Sequence, residues 1–303
     1  MIKIRTALLI FGLIFFSTTS FSQEVTPYLS YDLKTEYNVK VAASDTSDDG
    51  TTFEKIVIDG FDSRVPFYVI RPGINKTNKF VVLLHGITGS KENWVNPTSS
   101  LSKKYVKLKD SLLSIGYNVI IPDAKYHGER SYEADFVSPI AFYSTQDVLK
   151  IQNLWTTTVK DIRVIIDYMQ SLPNEEPITF DVVGYSMGAL MAIYLNSVDD
   201  RLNQIVACVA PLGSALKASM SLGLNEDNAK KMEEIFSSEI YAPLQKAPIT
   251  LLMGTKDNWY TEKEAQDFYD NIAIKSKALK FYESGHYLPE EFISDVIKSL
   301  NKK

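Results

Sequence analysis

Ser186 sits in Gly184-Tyr185-Ser186-Met187-Gly188, directly after the run Phe180-Asp181-Val182-Val183 and directly before the helical spacing of Ala189, Leu190, Ile193 and Tyr194. Strand, tight turn and helix in that order lift a serine oxygen above the edge of a sheet. The turn strains the serine backbone, and side chains at 184 and 188 would strike neighbouring backbone, so only small residues fit there. A serine hydroxyl is a weak nucleophile until a neighbouring base takes its proton. The chain holds 3 histidines. Of these, His286 lies in Glu283-Ser284-Gly285-His286-Tyr287-Leu288-Pro289, between the last expected strand and the last expected helix. A base in that role needs a carboxylate to fix its tautomer. Asp257, in the turn Gly254-Thr255-Lys256-Asp257 at the end of another strand, supplies one. Charge developing on a substrate oxygen needs backbone donors. The N–H groups of Met187 and of Ile87, in His85-Gly86-Ile87-Thr88-Gly89, are placed to serve. The less eventful alternatives are a packing turn with an idle serine, a solvent-facing loop histidine and a turn or capping aspartate before Thr261. Glu262 and Glu264 are weaker substitutes for the acid, because the helical pattern carries them past the turn. His85, at the end of a core strand, reads as a buried structural residue.

The elements that must carry these groups follow from pattern. From Phe53 onward, short β-branched runs alternate with longer amphipathic stretches, the rhythm of an α/β sheet. Glu54 to Asp59 and Arg64 to Arg71 read as an opening antiparallel hairpin. Lys79 to His85, Tyr117 to Pro122, Phe180 to Gly184, Gln204 to Ala210, Ile249 to Gly254 and Ala278 to Glu283 are near-continuous apolar runs, as strands covered on both faces must be. Helices are expected over Leu101 to Ser114, Thr156 to Ser171, Ser186 to Asn196, Thr261 to Ile274 and Pro289 to Leu300. Two connections, Arg130 to Trp155 and Leu212 to Lys246, are too long for simple loops and should carry structure of their own or line a binding site.

The 303 residues are 45% hydrophobic and 23% charged with a formal net charge of −5, which argues against a disordered, collagenous or coiled-coil chain. No basic stripe speaks for a nucleic-acid partner. The single Cys208 leaves no intramolecular disulfide, and the histidines show no metal-ligand spacing. Residues 1–22 carry Lys3 and Arg5, then an apolar run from Ala7 to Phe16, then small residues ending Ser20-Phe21-Ser22. That layout is a signal peptide, cleaved near Ser22 and Gln23; the apolar run is too short to span a bilayer. The mature protein is therefore expected to be periplasmic or secreted with no stable membrane anchor. Residues 23–51 read as an extended polar arm, and residues 52–303 as one domain.

The His85-Gly86 loop, the turn Asp123-Ala124-Lys125-Tyr126-His127-Gly128-Glu129-Arg130, the Gly184-to-Gly188 elbow, Asp257 and His286 resemble the α/β-hydrolase superfamily, in its chain order, over about residues 52 to 300. Within it the chain is similar to small bacterial carboxylesterases of the dienelactone-hydrolase-like branch. They share the opening hairpin Asp59-Gly60-Phe61-Asp62-Ser63-Arg64-Val65-Pro66-Phe67. The resemblance implies an α/β-hydrolase fold: a mostly parallel eight-stranded sheet with an N-terminal antiparallel hairpin and helices on both faces. It implies Ser186 as nucleophile, Asp257 as acid, His286 as base, and Ile87 and Met187 as oxyanion donors, with Asp123 and His127 shaping a turn near the pocket. No metal or organic cofactor is called for. Serine at the elbow departs from the dienelactone hydrolases proper, which use Cys, and from dehalogenases and epoxide hydrolases, which use Asp. The expected substrate is a small-molecule ester. The loop has no second Gly after Gly86, so the triple-glycine oxyanion type is not indicated.

Around this site the sequence is rich in aromatics. Trp94, Phe142, Trp259, Tyr260 and Tyr287 are candidates for the substrate wall, beside Phe136, Tyr143 and Trp155, with core packing as the alternative. Residues 212–246, with Met220, Leu222, Leu224, Met232, Ile235 and Phe236, read either as a small cap or as a plain helical excursion. Rival functions are a serine peptidase or amidase, which uses the same three groups, and a noncatalytic member that only binds a ligand.

Overall fold

The computed structural model describes residues 27–33, 36–173 and 176–301; the expected leader at 1–22 lies outside them. Nine strands form one sheet: β1 (Val39–Thr46), β2 (Thr52–Asp59), β3 (Arg64–Arg71), β4 (Lys79–Leu84), β5 (Asn118–Pro122), β6 (Thr179–Tyr185), β7 (Leu202–Cys208), β8 (Ile249–Gly254) and β9 (Lys277–Tyr282). Their order is β1-β2-β3-β5-β4-β6-β7-β8-β9. The first four in that order pair antiparallel, and everything from β5 across to β9 is parallel. β5 is buried at every position, and β4 and β6 at all but their first residue, so helices cover both faces of the central sheet.

The sheet has one strand more than the eight expected. β1 comes from the stretch read as an extended arm and pairs along β2 from Val39 opposite Ile58 to Thr46 opposite Thr52. Its side chains are exposed at all but the first position, so backbone pairing rather than apolar burial holds it. Such an edge strand leaves no apolar alternation to read, and its charges discourage pairing with further chains.

Among the described residues, seven α-helices of seven residues or more follow: α1 (Ser100–Ser114), α2 (Val148–Ser171), α3 (Met187–Val198), α4 (Ala215–Ser221), α5 (Glu226–Phe236), α6 (Glu262–Asn271) and α7 (Phe292–Leu300). α2 begins two turns before the expected Thr156, capped by the Asp147 carboxylate, which accepts the Lys150 N–H at 3.1 Å. Ile151, Leu154 and Trp155 keep the buried helical phase through those added turns. None of the described helices is long and apolar enough to cross a membrane.

The chain leaves β4 toward β5 on one side and leaves β6 toward β7 on the other, so a crevice opens at the C-terminal ends of β4 and β6. Ligands bind at such reversal points in open α/β sheets. Ser186 follows β6 and Ile87 follows β4, at opposite lips of that crevice. The two long connections meet above it. Gln146 donates to the Gly223 carbonyl at 2.7 Å and accepts the Asn225 N–H at 2.9 Å, while Glu233 accepts the Leu216 N–H at 2.6 Å and ties α5 to α4.

Candidate active site

Ser186 has φ 57° and ψ −117°, a region that costs a non-glycine residue about 1–3 kcal/mol. The surroundings enforce it. Its N–H donates to the Cys208 carbonyl on neighbouring β7 at 2.9 Å. A Cβ built on Gly184 would lie 2.1 Å from the Gly188 carbonyl oxygen, and one on Gly188 would lie 2.4 Å from that of Leu84. The two glycines thus let strand and helix fold back onto each other and onto β4. Cys208 itself is fully buried, and burial pushes its thiol well up, so it packs as a small hydrophobe.

His286 Nε2 lies 2.8 Å from Ser186 Oγ, and its Nδ1 lies 2.7 Å from Asp257 Oδ2. The Asp257 side chain is fully buried; its other oxygen accepts the Trp259 N–H at 3.0 Å. The loops carrying these two residues are joined by backbone: the Thr255 N–H donates to the Tyr282 carbonyl at 2.9 Å and the Lys256 N–H to that of Ser284 at 2.8 Å. Gly254 permits the approach, since a Cβ there would sit 2.4 Å from the Gly285 carbonyl oxygen. Buried Tyr260 accepts the Gly254 N–H through its hydroxyl at 2.7 Å. Tyr185, one residue before the serine, holds the histidine loop: its hydroxyl donates to the His286 carbonyl at 2.8 Å and accepts the Leu288 N–H at 3.0 Å.

Ile87 and Met187 line the same cavity as Ser186, and neither backbone amide has an acceptor among the described residues. Met187 is the first residue of α3, where the helix dipole favours negative charge. The Ile87 loop is fixed from behind by two histidines. His85 donates from Nδ1 to the Gly86 carbonyl at 2.9 Å and accepts the Ala124 N–H at Nε2, 3.1 Å away, so it is the neutral Nδ1–H tautomer. Burial lowers its pKa to about 3. The buried His127 ring lies between the Lys125 carbonyl, 2.8 Å from Nδ1, and the Ile87 carbonyl, 2.7 Å from Nε2. Burial holds it below the ordinary histidine value, and a neutral ring donates to one of those carbonyls at a time.

Two separate spaces of different lining adjoin Ser186, one containing it and one reaching it through Gly86. One is apolar, with Ile151, Leu190, Tyr194, Met232, Phe236 and Trp259 among its residues. Against Gly86 on the other side lies a groove of mixed lining, with Thr88, Asn93, Ser99, Ser100 and Ser102 beside Leu101, Tyr105 and Tyr287. Of the aromatics expected in the substrate wall, Tyr143, Trp155, Trp259 and Tyr287 line these two spaces. Trp94, Phe142 and Tyr260 do not. Trp94 is fully buried and stacks on Tyr105 at 4.3 Å between ring centroids, Phe142 packs edge-on against Tyr126, and Tyr260 braces the Asp257 loop as described. Large rings fill core voids first, and their position in a loop near the site does not turn them toward it. Among the described residues, no three His, Cys, Asp or Glu side chains group as a metal site.

Residues 66–287 match the dienelactone hydrolase family. The chain belongs to that family. A Bacillus subtilis (strain 168) relative named "Putative hydrolase YtaP" is 30% identical over 103 residues, 34% of this chain and 33% of its own, so the match spans about a third of that relative. Among solved structures, an acetyl xylan esterase from Paenibacillus sp. R4 superposes with a TM-score of 0.67 at 15% identity, covering 92% of each chain. Acetyl xylan esterase 1 from Thermoanaerobacterium sp. JW/SL YS485 gives 0.66 at 14%, also over 92% of each. A cold-adapted esterase from an Arctic intertidal metagenomic library gives 0.64 at 15%, over 88% of this chain and 97% of its own. At such identities these likenesses establish a shared α/β-hydrolase fold.

Several residues of this family member escaped sequence reasoning. Tyr185 is the clearest: a tyrosine before the elbow serine looks like a core residue, and only tertiary structure reveals its two bonds to the histidine loop. Leu190, Tyr194 and Ile151 carried a helical core signal, which is also what a pocket wall carved between helices produces.

Proposed function

We propose that this protein is a serine hydrolase of carboxylic esters. The observation that carries the reading is the unbroken line from the buried Asp257 carboxylate through His286 to the Ser186 hydroxyl, at 2.7 and 2.8 Å. In this reading Ser186 Oγ attacks the ester carbonyl as His286 Nε2 takes its proton. Asp257 holds the ring with Nε2 free to accept and stabilises the imidazolium that forms. The tetrahedral oxyanion is met by the amides of Ile87 and Met187, each worth on the order of 3 kcal/mol in such sites. His286 returns the proton to the departing alcohol, and a water then releases the acid through the same histidine. α4 and α5 act as a small cap whose inner face forms the apolar wall. Residues 1–22 direct export.

Labelling with a fluorophosphonate tests the chemistry: mass spectrometry should find the adduct on Ser186, and Ser186→Ala should remain unlabelled. Equal labelling of both proteins overturns the assignment. p-Nitrophenyl acetate should be turned over while the matching anilide is not; the reverse would favour an amidase, and failure of both substrates together with no labelling would favour a binding protein. N-terminal sequencing of exported protein should begin near Gln23, and a full-length chain retained in the cytoplasm would refute export.

A further inference from the structure

The two spaces that adjoin Ser186 differ in more than polarity. On the apolar side, Leu190, Met232 and Phe236 offer hydrocarbon, and the Tyr194 hydroxyl is already spent on the Phe236 carbonyl at 2.8 Å. A chain seated there loses little, because beside Ser186 itself the wall's polar side-chain groups without a partner among the described residues are few: the Ser219 hydroxyl, the Trp259 indole N–H and the hydrogen of the Tyr143 hydroxyl. In the groove the reverse holds. The Thr88 and Ser100 hydroxyls and the Asn93 side-chain NH₂ have no partner among the described residues, while Ser99 and Ser102 bond each other at the start of α1. No Lys, Arg, Asp or Glu lines the groove, so its chemistry suits a neutral hydroxylated ligand rather than an anion. Tyr287 stands over it with 66% of its surface exposed, an open aromatic face of the kind that marks a contact site for a ring's apolar edge.

Chain order tells which half of an ester belongs where. The departing alcohol takes its proton from His286, and Tyr287, the next residue, belongs to the groove. Met187, whose amide faces the carbonyl oxygen, belongs to the apolar wall. We infer that the cleft takes esters joining an apolar acyl chain to a neutral polyhydroxylated alcohol, such as a monosaccharide. The acyl chain lies against Leu190, Met232 and Phe236; the polyol lies against Thr88, Asn93, Ser100 and Tyr287. The inference rests on the serine-esterase reading and deepens it. The step balances as hydrolysis: the Ser186 Oγ–carbon bond forms, the ester carbon–oxygen bond breaks, the sugar oxygen leaves with the proton from His286, and water regenerates the serine and releases the acid.

The test uses the purified full chain and five substrates kept below their critical micelle concentrations: p-nitrophenyl acetate, 6-O-octanoylglucose, methyl octanoate, 6-O-acetylglucose and octyl gluconate. We expect kcat/KM for octanoylglucose to exceed that for methyl octanoate and for acetylglucose by tenfold or more. Parity with methyl octanoate overturns the polyol groove, parity with acetylglucose overturns the apolar acyl wall, and faster cleavage of octyl gluconate overturns the assignment of halves. In each of these cases turnover of p-nitrophenyl acetate leaves the serine-esterase reading standing; turnover of none of the five sinks both. Two variants sharpen the result, each read as a ratio within one protein so that loss of folded material cancels. Tyr287→Ala should bring the octanoylglucose to methyl octanoate ratio down at least fivefold. Ala218→Trp, on the apolar wall, should lower the octanoylglucose to acetylglucose ratio by a similar factor. Unchanged ratios in both variants would refute the proposed contacts.

Discussion

Two groups of buried polar side chains sit on the same edge of the sheet and are built in opposite ways. Beneath the turn that follows β5, every charge is answered. Lys91, with no exposed surface, meets Asp123 at 2.7 Å and Glu129 at 2.5 Å, and Asp123 also accepts the backbone N–H groups of Lys91 and Glu129 at 2.9 and 3.0 Å. Buried Arg130 joins Asp161 at 2.8 Å and Glu133 at 3.1 Å. In the proposed triad a single carboxylate faces a ring that is 22% exposed, and the ring's second nitrogen faces a neutral hydroxyl. One group is closed, and the other ends on an oxygen open to a ligand. Closed networks specify structure, whereas an open end is what chemistry requires, so the two should fail in different ways when cut.

The largest contrast should come from Ser186→Ala. Activity toward p-nitrophenyl acetate should fall about 10⁴- to 10⁶-fold, as it does when such a nucleophile is removed elsewhere. Thermal unfolding should barely move, because alanine meets the same backbone strain at φ 57° as serine. A comparable drop in both quantities would erase the distinction. Asp123→Asn should do the converse, costing roughly 1.5–3 kcal/mol in denaturant unfolding because the buried Lys91 ammonium keeps only Glu129 as a close carboxylate partner, with kcat per folded molecule nearly unchanged. An unaltered unfolding midpoint would show that the closed network is dispensable.

Next in size is a pH effect on the wall behind the Ile87 loop. The folded His85 resists protonation down to about 3, whereas in the unfolded chain it titrates near 6.5. Between those values the unfolded state binds the extra proton, so stability is full above 6.5 and declines as pH falls, by about 1.4 kcal/mol per pH unit from this one group. His85→Gln should flatten the unfolding profile between pH 6 and 4 by one proton's slope. Parallel profiles would show that His85 is not held neutral. Smallest is Tyr185→Phe, which strands the His286 carbonyl and the Leu288 N–H. kcat should drop about tenfold with KM little altered, reflecting roughly 1–3 kcal/mol of lost positioning. A change in KM alone would place Tyr185 among the substrate contacts instead.

What could be read from the residues follows from which constraints are local. The elbow was legible because Gly184 and Gly188 are demanded by backbone collisions that any chain folding this way must avoid. Asp257 and His286 were legible because both stand just past apolar runs that end as strands. The central strands announced themselves by continuous burial, and β1 did not, since backbone pairing leaves no trace in side-chain type. The cleft walls were the least legible part. Trp94 and Trp259 have the same chemistry and both lie in loops near the site, yet one stacks into the core on Tyr105 and the other faces the cavity. That difference is set by how distant segments pack, for example by Gln146 stitching the chain before α2 to the turn between α4 and α5.

The backbone ladder between the Asp257 and His286 loops has a mechanical consequence. Thr255 to Tyr282 and Lys256 to Ser284 clip the two segments into one body, and the Tyr185 hydroxyl fastens that body to the residue preceding Ser186. Thermal breathing therefore carries Asp257, His286 and Ser186 together, like points on a single lever. Wide changes in the overlying helices can reshape what enters the cleft without disturbing the spacing of these three side chains, so under the proposed chemistry substrate preference and reactivity are free to drift separately in this chain's descendants.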